Sequence, residues 1–340
     1  MKVLLPFVSY EVTMTCNLKC RFCYNHYKNT GEIPKKPTYR QIDKTLRQIF
    51  KVFDISQITF TGGEPFTAER FGELVLTARL KGANVGIISN GNFAKAEDYI
   101  QIVKLGVKSF ELPIHSYKSE IHDFMTRIEG SHQKSLSIIS ELQKNGITPT
   151  AVVVLTKYNC ENCDETIRFI ASKGINRIMI NRYNIGGEGI KNPSELLPTK
   201  IQLQQAFKQI SDEAQNLKLN ITSNVCTPIC VLNPKDYLGI RFSSCSFDIS
   251  KRPITIDYLG NVRFCNHSPE ILGNIFENSA EEIIKSPLGK KWAEIIPDYC
   301  KDCKDYSKCK AGCRASTQQC GLPLSEPDPI VKIYKNTNNE

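Results

Sequence analysis

Residues 8–23 of the chain read VSYEVTMTCNLKCRFC, and this stretch decides the fold. Its first half, residues 8–14, is rich in β-branched and aromatic side chains and predicts a buried strand. Its second half carries three cysteines in the spacing CxxxCxxC, namely Cys16, Cys20 and Cys23. Three thiolates on a four-iron cube leave one iron open to a further ligand. A structural zinc completed by His26 is the alternative, because three cysteines and a histidine are a common zinc set.

Strand and helix patterns alternate along the first half of the chain. Six strands are predicted, at residues 8–14, 55–61, 85–89, 109–114, 149–156 and 177–183. Five helices are predicted between them, at residues 39–53, 68–81, 95–105, 132–145 and 163–173, and four of these are followed by a glycine that can end a helix. Repeated strand–helix units with right-handed crossovers predict an α/β fold, a partial (β/α)6 barrel of the TIM type. Functional side chains are then expected at the C-terminal ends of the strands.

The sequence changes character after the sixth strand. Residues 198–217 predict a connecting helix, and residues 226–320 contain nine cysteines but few apolar residues. A segment of that kind depends on bound metal for its stability. We therefore expect four regions: the barrel at 1–190, a linker helix at 191–222, a small cysteine-rich iron–sulfur domain at 223–325, and a tail at 326–340.

Composition excludes several classes of protein. Fourteen cysteines in 340 residues favour metal binding over a disulfide scaffold. The net charge is +9, but both signs are interspersed, so we expect no nucleic-acid partner. No stretch reaches the roughly 18 apolar residues of a membrane span, and residues 1–6 lack the apolar core of a secretory signal. These features predict a cytoplasmic protein without a membrane partner.

The cysteine loop, with Phe22 just before the third cysteine, resembles that of the radical S-adenosylmethionine (SAM) superfamily. The resemblance implies that a cluster on the three cysteines binds the amino and carboxylate groups of SAM, and that Phe22 packs near the adenine. After the second strand, Gly62-Gly63-Glu64-Pro65 resembles the GGEP motif, which in that family contacts the methionine amino group. Two glycines allow the backbone to approach a ligand, and Glu64 offers an acceptor for an ammonium. An ordinary strand–helix turn is the alternative.

Other SAM contacts are implied less specifically. Ser89 and Asn90, at the end of the third strand, match the polar position that touches the ribose or carboxylate in the family, although Ser-Asn-Gly is also a common turn. The resemblance implies that Arg127 clamps the SAM carboxylate, and the alternative is a solvated helix pair with Asp123. The fourth strand departs from the family's Ser-x-Asp-Gly pattern at His115, so no contact is carried over there.

The C-terminal cysteines resemble the SPASM domain of peptide-modifying radical enzymes. Their spacing is C-x14-G-x4-C, then C-x2-C-x5-C-x3-C-x6-C. By resemblance a first auxiliary cluster takes Cys245, Cys265 and Cys313, and a second takes Cys300, Cys303, Cys309 and Cys320. Cys230 is our candidate for the fourth ligand of the first cluster, with a buried structural cysteine as the alternative. A zinc ribbon would leave three of these seven cysteines unexplained.

Three cysteines remain outside these sets. Cys160 and Cys163 form a CxxC after the fifth strand, either placed to touch substrate or exchange electrons, or present as surface thiols at a helix cap. Cys226 lies in the connection that passes near the barrel mouth, and it is our catalytic candidate, a donor of a hydrogen atom to a substrate radical.

The family resemblance implies reductive cleavage of SAM to a 5′-deoxyadenosyl radical that abstracts hydrogen from a substrate. Three 4Fe–4S clusters are expected, fed by an external one-electron reductant of flavodoxin or ferredoxin type. The substrate class implied is a ribosomally made peptide, recognised through a separate leader-recognition protein or by direct docking, because the first strand begins almost at residue 1. The alternatives are a small-molecule dehydrogenase or epimerase, a sulfatase maturase, and a non-catalytic electron carrier.

Overall fold

The structure is a computed structural model that describes residues 3–30 and 35–336. The first two residues of the predicted barrel region and the last four residues of the predicted tail lie outside the described residues. No described helix is long and apolar enough to cross a membrane.

Six parallel strands in chain order form the centre of one sheet, as the sequence predicts. They are β1 (Val3–Thr13), β2 (Phe53–Gly62), β3 (Asn84–Ile88), β4 (Ser109–Pro113), β5 (Thr150–Leu155) and β6 (Arg177–Arg182). The register sets Leu5 opposite Ile55 and Ile58 opposite Val85, so apolar side chains meet on one face. The predicted α/β barrel is therefore confirmed.

Five short strands from the C-terminal half extend this sheet at both edges. They are β7 (Asn220–Ser223), β8 (Ile240–Phe242), β9 (Ile254–Asp257), β10 (Asn261–Arg263) and β11 (Ile271–Asn274). The order is β11-β10-β9-β1-β2-β3-β4-β5-β6-β7-β8, and only the β9–β10 and β10–β11 pairs are antiparallel among the described pairs. The cysteine-rich region is thus joined to the barrel through β1 and β6.

The helices cover the outer face of the sheet and the C-terminal region. They are α1 (Tyr39–Val52), α2 (Phe71–Leu80), α3 (Ala96–Lys104), α4 (Ser119–Thr126), α5 (Ser131–Lys144), α6 (Cys163–Ser172), α7 (Pro193–Leu196), α8 (Lys200–Asn216), α9 (Ala280–Ile284), α10 (Pro287–Glu294), α11 (Tyr306–Cys309), α12 (Arg314–Gln319) and α13 (Pro329–Asn336). The connecting helix predicted at 198–217 is α8, and Thr199 and Gln202 form a capping box at its start.

Two details of the helices differ from the prediction. Helix α2 begins at Phe71 because Pro65–Thr67 forms a separate 3-10 turn. Helix α4 was not predicted as an element of its own. It ends at Arg127, which adopts a left-handed conformation with φ of 60°.

Alternation along the strands creates an inner face and an outer face. Ile58 and Phe60 of β2 point into the core beneath the helices, while Gln57, Thr59 and Thr61 face the inside of the barrel. The inner face elsewhere carries Ser9, Glu111 and Asn181. Closed TIM barrels fill this space with branched apolar side chains. Here polar side chains are mixed with apolar ones such as Val152, Val154 and Met179, and a cavity remains open.

Candidate active site

A cavity of about 760 Å³ opens at the C-terminal ends of the barrel strands. This volume is in the range of small-molecule and cofactor sites. The cysteines in its wall come from both halves of the chain: Cys16, Cys20, Cys23, Cys226, Cys245, Cys265 and Cys313. The barrel and the cysteine-rich region therefore build one site together.

The N-terminal cysteine loop is held against helix α4. The backbone N–H of Arg21 donates to the carbonyl of Met125 at 2.9 Å, and its Nε donates to the carbonyl of Phe124 at 3.1 Å. The guanidinium also lies 4.0 Å from the centre of the Phe124 ring. A bond from the N–H of Cys23 to the carbonyl of Cys20, 3.2 Å long, closes the turn between the second and third cysteines.

The three thiols fit an iron–sulfur cluster better than a zinc ion. Burial raises the pKa of all three, to about 11 at Cys16, so a bound cation is needed to deprotonate them. Among the described residues, no three His, Cys, Asp or Glu side chains converge closely enough for one metal ion. Thiolates on one zinc would stand about 3.8 Å apart, from Zn–S bonds of about 2.3 Å. The Nδ1 of His26 instead accepts a hydrogen bond from Arg263 at 2.7 Å.

Gly62 and Gly63 bring the end of β2 against the backbone that enters the cysteine loop. The N–H of Gly63 donates to the carbonyl of Thr13 at 2.8 Å, and the N–H of Glu64 donates to that of Thr15 at 2.9 Å. A Cβ on Gly62 would lie 2.1 Å from the Thr13 oxygen, and one on Gly63 would lie 2.1 Å from the Thr15 oxygen. Both glycines line the cavity. Glycine is required at both positions because the chain packs closely against the backbone of Thr13 and Thr15. The same two residues border the space for a ligand.

Glu64 lies behind the cavity wall rather than in it. Its Oε1 accepts hydrogen bonds from Ser89 Oγ at 2.8 Å and from the N–H of Phe66 at 3.3 Å, and its Oε2 accepts from the N–H of Asn90 at 2.7 Å. Burial raises the pKa of this carboxyl to about 7, although the hydrogen bonds oppose the shift. Pro65 follows as a buried residue of the 3-10 turn. In the described contacts Glu64 positions the end of β3, and its carboxylate is not an exposed acceptor.

Asn90 links the end of β3 to the cysteine loop. Its Nδ2 donates to Asn17 Oδ1 at 2.9 Å and lies 3.6 Å from the Sγ of Cys16. Ser89 and Asn90 both line the cavity, as expected for cofactor-binding residues. Hydrogen bonds to the sulfurs of an iron–sulfur cluster alter its reduction potential, and Asn90 stands within reach of the Cys16 sulfur.

Phe22 lies in the cavity wall beside a residue that the sequence did not identify. Its ring packs edge-on against His115, with centroids 4.7 Å apart at 76°. The Nδ1 of His115 accepts a hydrogen bond from the N–H of Val154 at 3.3 Å, which leaves Nε2 as the protonated nitrogen. His115 stands where β4 departs from the family pattern, and its position at a predicted strand end was the available signal.

Arg127 lies in the cavity wall and forms an ion pair with Glu188. Its Nη1 donates to Glu188 Oε1 at 3.1 Å. Asp123 turns elsewhere, because its carboxylate accepts hydrogen bonds from the N–H groups of Gly130 and His132 at the start of α5. The alternative of an Asp123–Arg127 pair is therefore not formed.

The first auxiliary set contains Cys226 in place of the expected Cys230. The thiols that meet here belong to Cys226, Cys245, Cys265 and Cys313. A hydrogen bond between Cys226 and Cys245 raises the pKa of the first and lowers that of the second. Two further donors reach this set: Arg252 Nη1 lies 3.3 Å from Cys245 Sγ, and Asn184 Nδ2 lies 3.3 Å from Cys313 Sγ. Cys226, our candidate hydrogen donor, is thus surrounded by predicted ligands.

The second auxiliary set holds Cys230. Burial, with the charges of Cys309 and Cys303, raises the pKa of the Cys230 thiol to about 11. Burial and the charges of Cys309, Cys303 and Cys230 likewise raise the pKa of the Cys300 thiol. For Cys320, burial and the charge of Asp328 raise the thiol pKa. The predicted roles of Cys230 and Cys320 as cluster ligands remain predictions.

Two other observations concern residues at or near the site. Glu111 extends from β4 into the cavity, and burial raises its pKa to about 7; no described side chain or backbone group donates a hydrogen bond to its carboxylate.

Cys160 and Cys163 are both buried, and neither lines the cavity. Cys163 donates to the carbonyl of Cys160 at 3.2 Å, so these thiols are neither on the surface nor in position to meet a substrate.

Comparisons with known proteins agree with this site. The sequence model of the radical SAM superfamily matches residues 10–170, and that of the SPASM iron–sulfur cluster-binding domain matches residues 245–310. The chain is 23% identical to the PqqA peptide cyclase of Granulibacter bethesdensis over 332 residues, which covers 95% of this chain and 86% of that protein. It is 23% identical to the mycofactocin maturase MftC of Mycolicibacterium smegmatis over 330 residues, covering 95% and 81%.

Solved structures show the same fold. Streptococcus suis SuiB bound to S-adenosylmethionine superimposes with a TM-score of 0.72 at 16% identity, covering 96% of this chain and 77% of that one. The structure of anSMEcpe with bound AdoMet gives a TM-score of 0.72 at 16% identity, covering 98% and 93%.

A partial barrel whose strand ends surround an open three-thiol loop, with more thiols across the cavity, defines an iron–sulfur enzyme. Residues 10–170 form a radical SAM domain, and residues 245–310 form a SPASM iron–sulfur cluster-binding domain. SAM and iron–sulfur clusters are therefore its cofactors.

Proposed function

We propose that the protein modifies a ribosomally made peptide by radical chemistry, through a crosslink, a dehydrogenation or an epimerisation. The observation that carries this proposal is the shared cavity, which is lined by thiols of the N-terminal loop and by thiols of the first auxiliary set. When bound, SAM and its cluster supply a 5′-deoxyadenosyl radical that removes hydrogen from a C–H bond.

The residues of the chain bind and orient the reactants. Arg127 is placed to pair with a carboxylate, and Asn90 steadies the loop beside Cys16. Phe22 offers an apolar ring edge to a flat base. The inner face of the barrel, to which Gln57, Glu111 and Asn181 contribute polar groups, leaves room for a side chain to enter from the mouth.

A peptide substrate is supported by the relatives, which include a peptide cyclase and a maturase aligned over 95% of this chain. SuiB has also been solved with its precursor peptide SuiA. Sulfatase maturation is the weaker candidate, because Asn266 stands beside Cys265 where those enzymes have an aspartate. Here Asn266 donates to the hydroxyl of Tyr24 at 2.6 Å.

The complete proposal has three 4Fe–4S clusters, one that binds SAM and two in the SPASM domain. It also includes a flavodoxin- or ferredoxin-type reductant, a separate leader-recognition protein and a cytoplasmic location. The number of cysteines supports a reducing compartment and several clusters.

The test is anaerobic incubation of reconstituted protein with SAM, a reductant and the peptide encoded beside its gene. We expect 5′-deoxyadenosine together with a modified peptide. A crosslink or a dehydrogenation lowers the peptide mass by two hydrogens. An epimerisation leaves the mass unchanged in ordinary water and adds deuterium in deuterated solvent. A variant lacking Cys16, Cys20 and Cys23 is the control and should yield neither. Formation of 5′-deoxyadenosine without any change in the peptide would overturn the substrate while retaining the chemistry.

A further inference from the structure

Two segments with the spacing CxxxC run side by side in the SPASM region. One covers residues 226–230 and the other covers residues 309–313. The N–H of Ile229 donates to the Sγ of Cys309 at 3.3 Å. A Cβ on Gly312 would lie 2.6 Å from Cγ of Pro228, so the middles of the two segments are also in close contact.

The two ends of this pair of segments face different thiols. At one end Cys226 and Cys313 lie with Cys245, and all three line the cavity. At the other end Cys230 and Cys309 lie with Cys303 and outside the cavity wall. Each segment therefore contributes one thiol to each group.

We propose that residues 226–230 and 309–313 each supply one ligand to each of the two auxiliary iron–sulfur clusters. The first cluster is held by Cys226, Cys245, Cys265 and Cys313, and the second by Cys230, Cys300, Cys303 and Cys309. Cys320 is not a ligand. The inference rests on the two auxiliary clusters of the proposed function and assigns their fourth ligands.

The surroundings of Cys320 agree with its exclusion. It ends helix α12, where its N–H donates to the carbonyl of Ser316 at 3.0 Å. Its charged neighbour is Asp328, whose carboxylate is already bound by Arg182 and by the N–H of Cys313 at 2.9 Å. A ligand to the second cluster would instead need to share the group formed by the other four thiols.

This arrangement has two consequences. Cys226 is bound to iron, so it has no thiol hydrogen to give to a substrate radical. Each segment would link the two clusters through three intervening residues, and only the thiols assigned to the first cluster line the cavity. The paired segments thus form a compact connection between the substrate side and the outer cluster.

The test compares three single variants, Cys226→Ala, Cys230→Ala and Cys320→Ala, with Cys160→Ala as a buried control away from both sets. Each protein is reconstituted anaerobically, and iron and sulfide are measured per chain together with Mössbauer and EPR spectra. We expect Cys226→Ala and Cys230→Ala each to lose about one third of the cluster iron or to change the spectrum of one auxiliary cluster, a different one in each case. We expect Cys320→Ala and Cys160→Ala to retain the wild-type iron content and spectra.

The spectral response of the N-terminal cluster to SAM is the internal check that a variant is folded, and Cys→Ser replacements take the place of any Ala variant that fails it. Loss of cluster iron in Cys320→Ala would overturn the ligand set, as would full iron content with unchanged spectra in Cys230→Ala or Cys226→Ala. Either result would leave the proposed function intact, since 5′-deoxyadenosine formation is scored separately.

Discussion

Arg263 of β10 forms a buried ion pair with Glu11 of β1, reaching across β9, and each side chain is about 1% exposed. The same guanidinium donates to His26 beside the cysteine loop and to the carbonyl of Ser268 at 3.1 Å. One side chain thereby connects the barrel, the loop and the SPASM strands.

We expect Arg263→Met to destabilise the protein by about 3–5 kcal/mol, because it leaves the Glu11 carboxylate buried without its cation. Burial already raises the pKa of Glu11, and the charge of Arg263 opposes that rise. Urea unfolding of the wild type and the variant measures the difference. The ion pair of Arg47 with Asp43 on the surface provides the control, and Arg47→Met should leave the stability nearly unchanged. Equal costs for the two variants would contradict the role given to Arg263.

Gly63→Ala should displace the cysteine loop, because its Cβ would lie 2.1 Å from the Thr15 carbonyl oxygen. We expect this variant to reconstitute less iron at the N-terminal site and to lose the spectral response to SAM. Gly82→Ala is the matched control, since Gly82 has φ of 87° but nothing within 4 Å of the added Cβ. It should cost about 1–2 kcal/mol of stability through backbone strain alone and keep its iron. Full SAM response in Gly63→Ala would show that the loop tolerates the contact.

The barrel was predictable because its signals are local. Six apolar strand segments alternate with amphipathic helices, and glycines such as Gly82 and Gly106 follow helix ends in the left-handed conformation the structure shows. The cysteine loop was equally visible, because its spacing lies within eight residues. Strands β7–β11 were not located, since segments of three or four residues are too short to carry a periodic pattern.

The features of the site that escaped prediction depend on distant packing. Whether Cys226 or Cys230 joins a given set is decided by the contact of residues 226–230 with residues 309–313, about 80 positions away, and no local pattern encodes that choice. Glu111 looks like the exposed residue of a half-buried strand. Its partial burial in the cavity wall depends on how the sheet curls around the cavity.

Arg127→Met should weaken SAM binding by about 10- to 100-fold, the value of a hydrogen-bonded charge pair with a carboxylate. Glu188→Gln should leave SAM affinity unchanged or improve it, because Glu188 competes for the guanidinium at 3.1 Å. Equilibrium dialysis with labelled SAM on reconstituted, oxidised protein gives both values. Unchanged affinity in Arg127→Met would show that Arg127 serves only its ion pair.

Glu111→Gln should alter how stability depends on pH. Burial raises the pKa of Glu111 from 4.5 to about 7, so the folded state keeps this proton where the unfolded chain releases it. Its contribution to stability is therefore complete below pH 4.5 and is lost as the pH rises through 7. The glutamine variant escapes this loss, so its advantage over wild type should grow between about pH 4.5 and 7 to at most about 3 kcal/mol. Denaturation midpoints at several pH values measure it, with Glu129→Gln on the exposed surface as control. Parallel pH profiles for wild type and Glu111→Gln would mean that water or a neighbouring group already satisfies the carboxylate in the cavity.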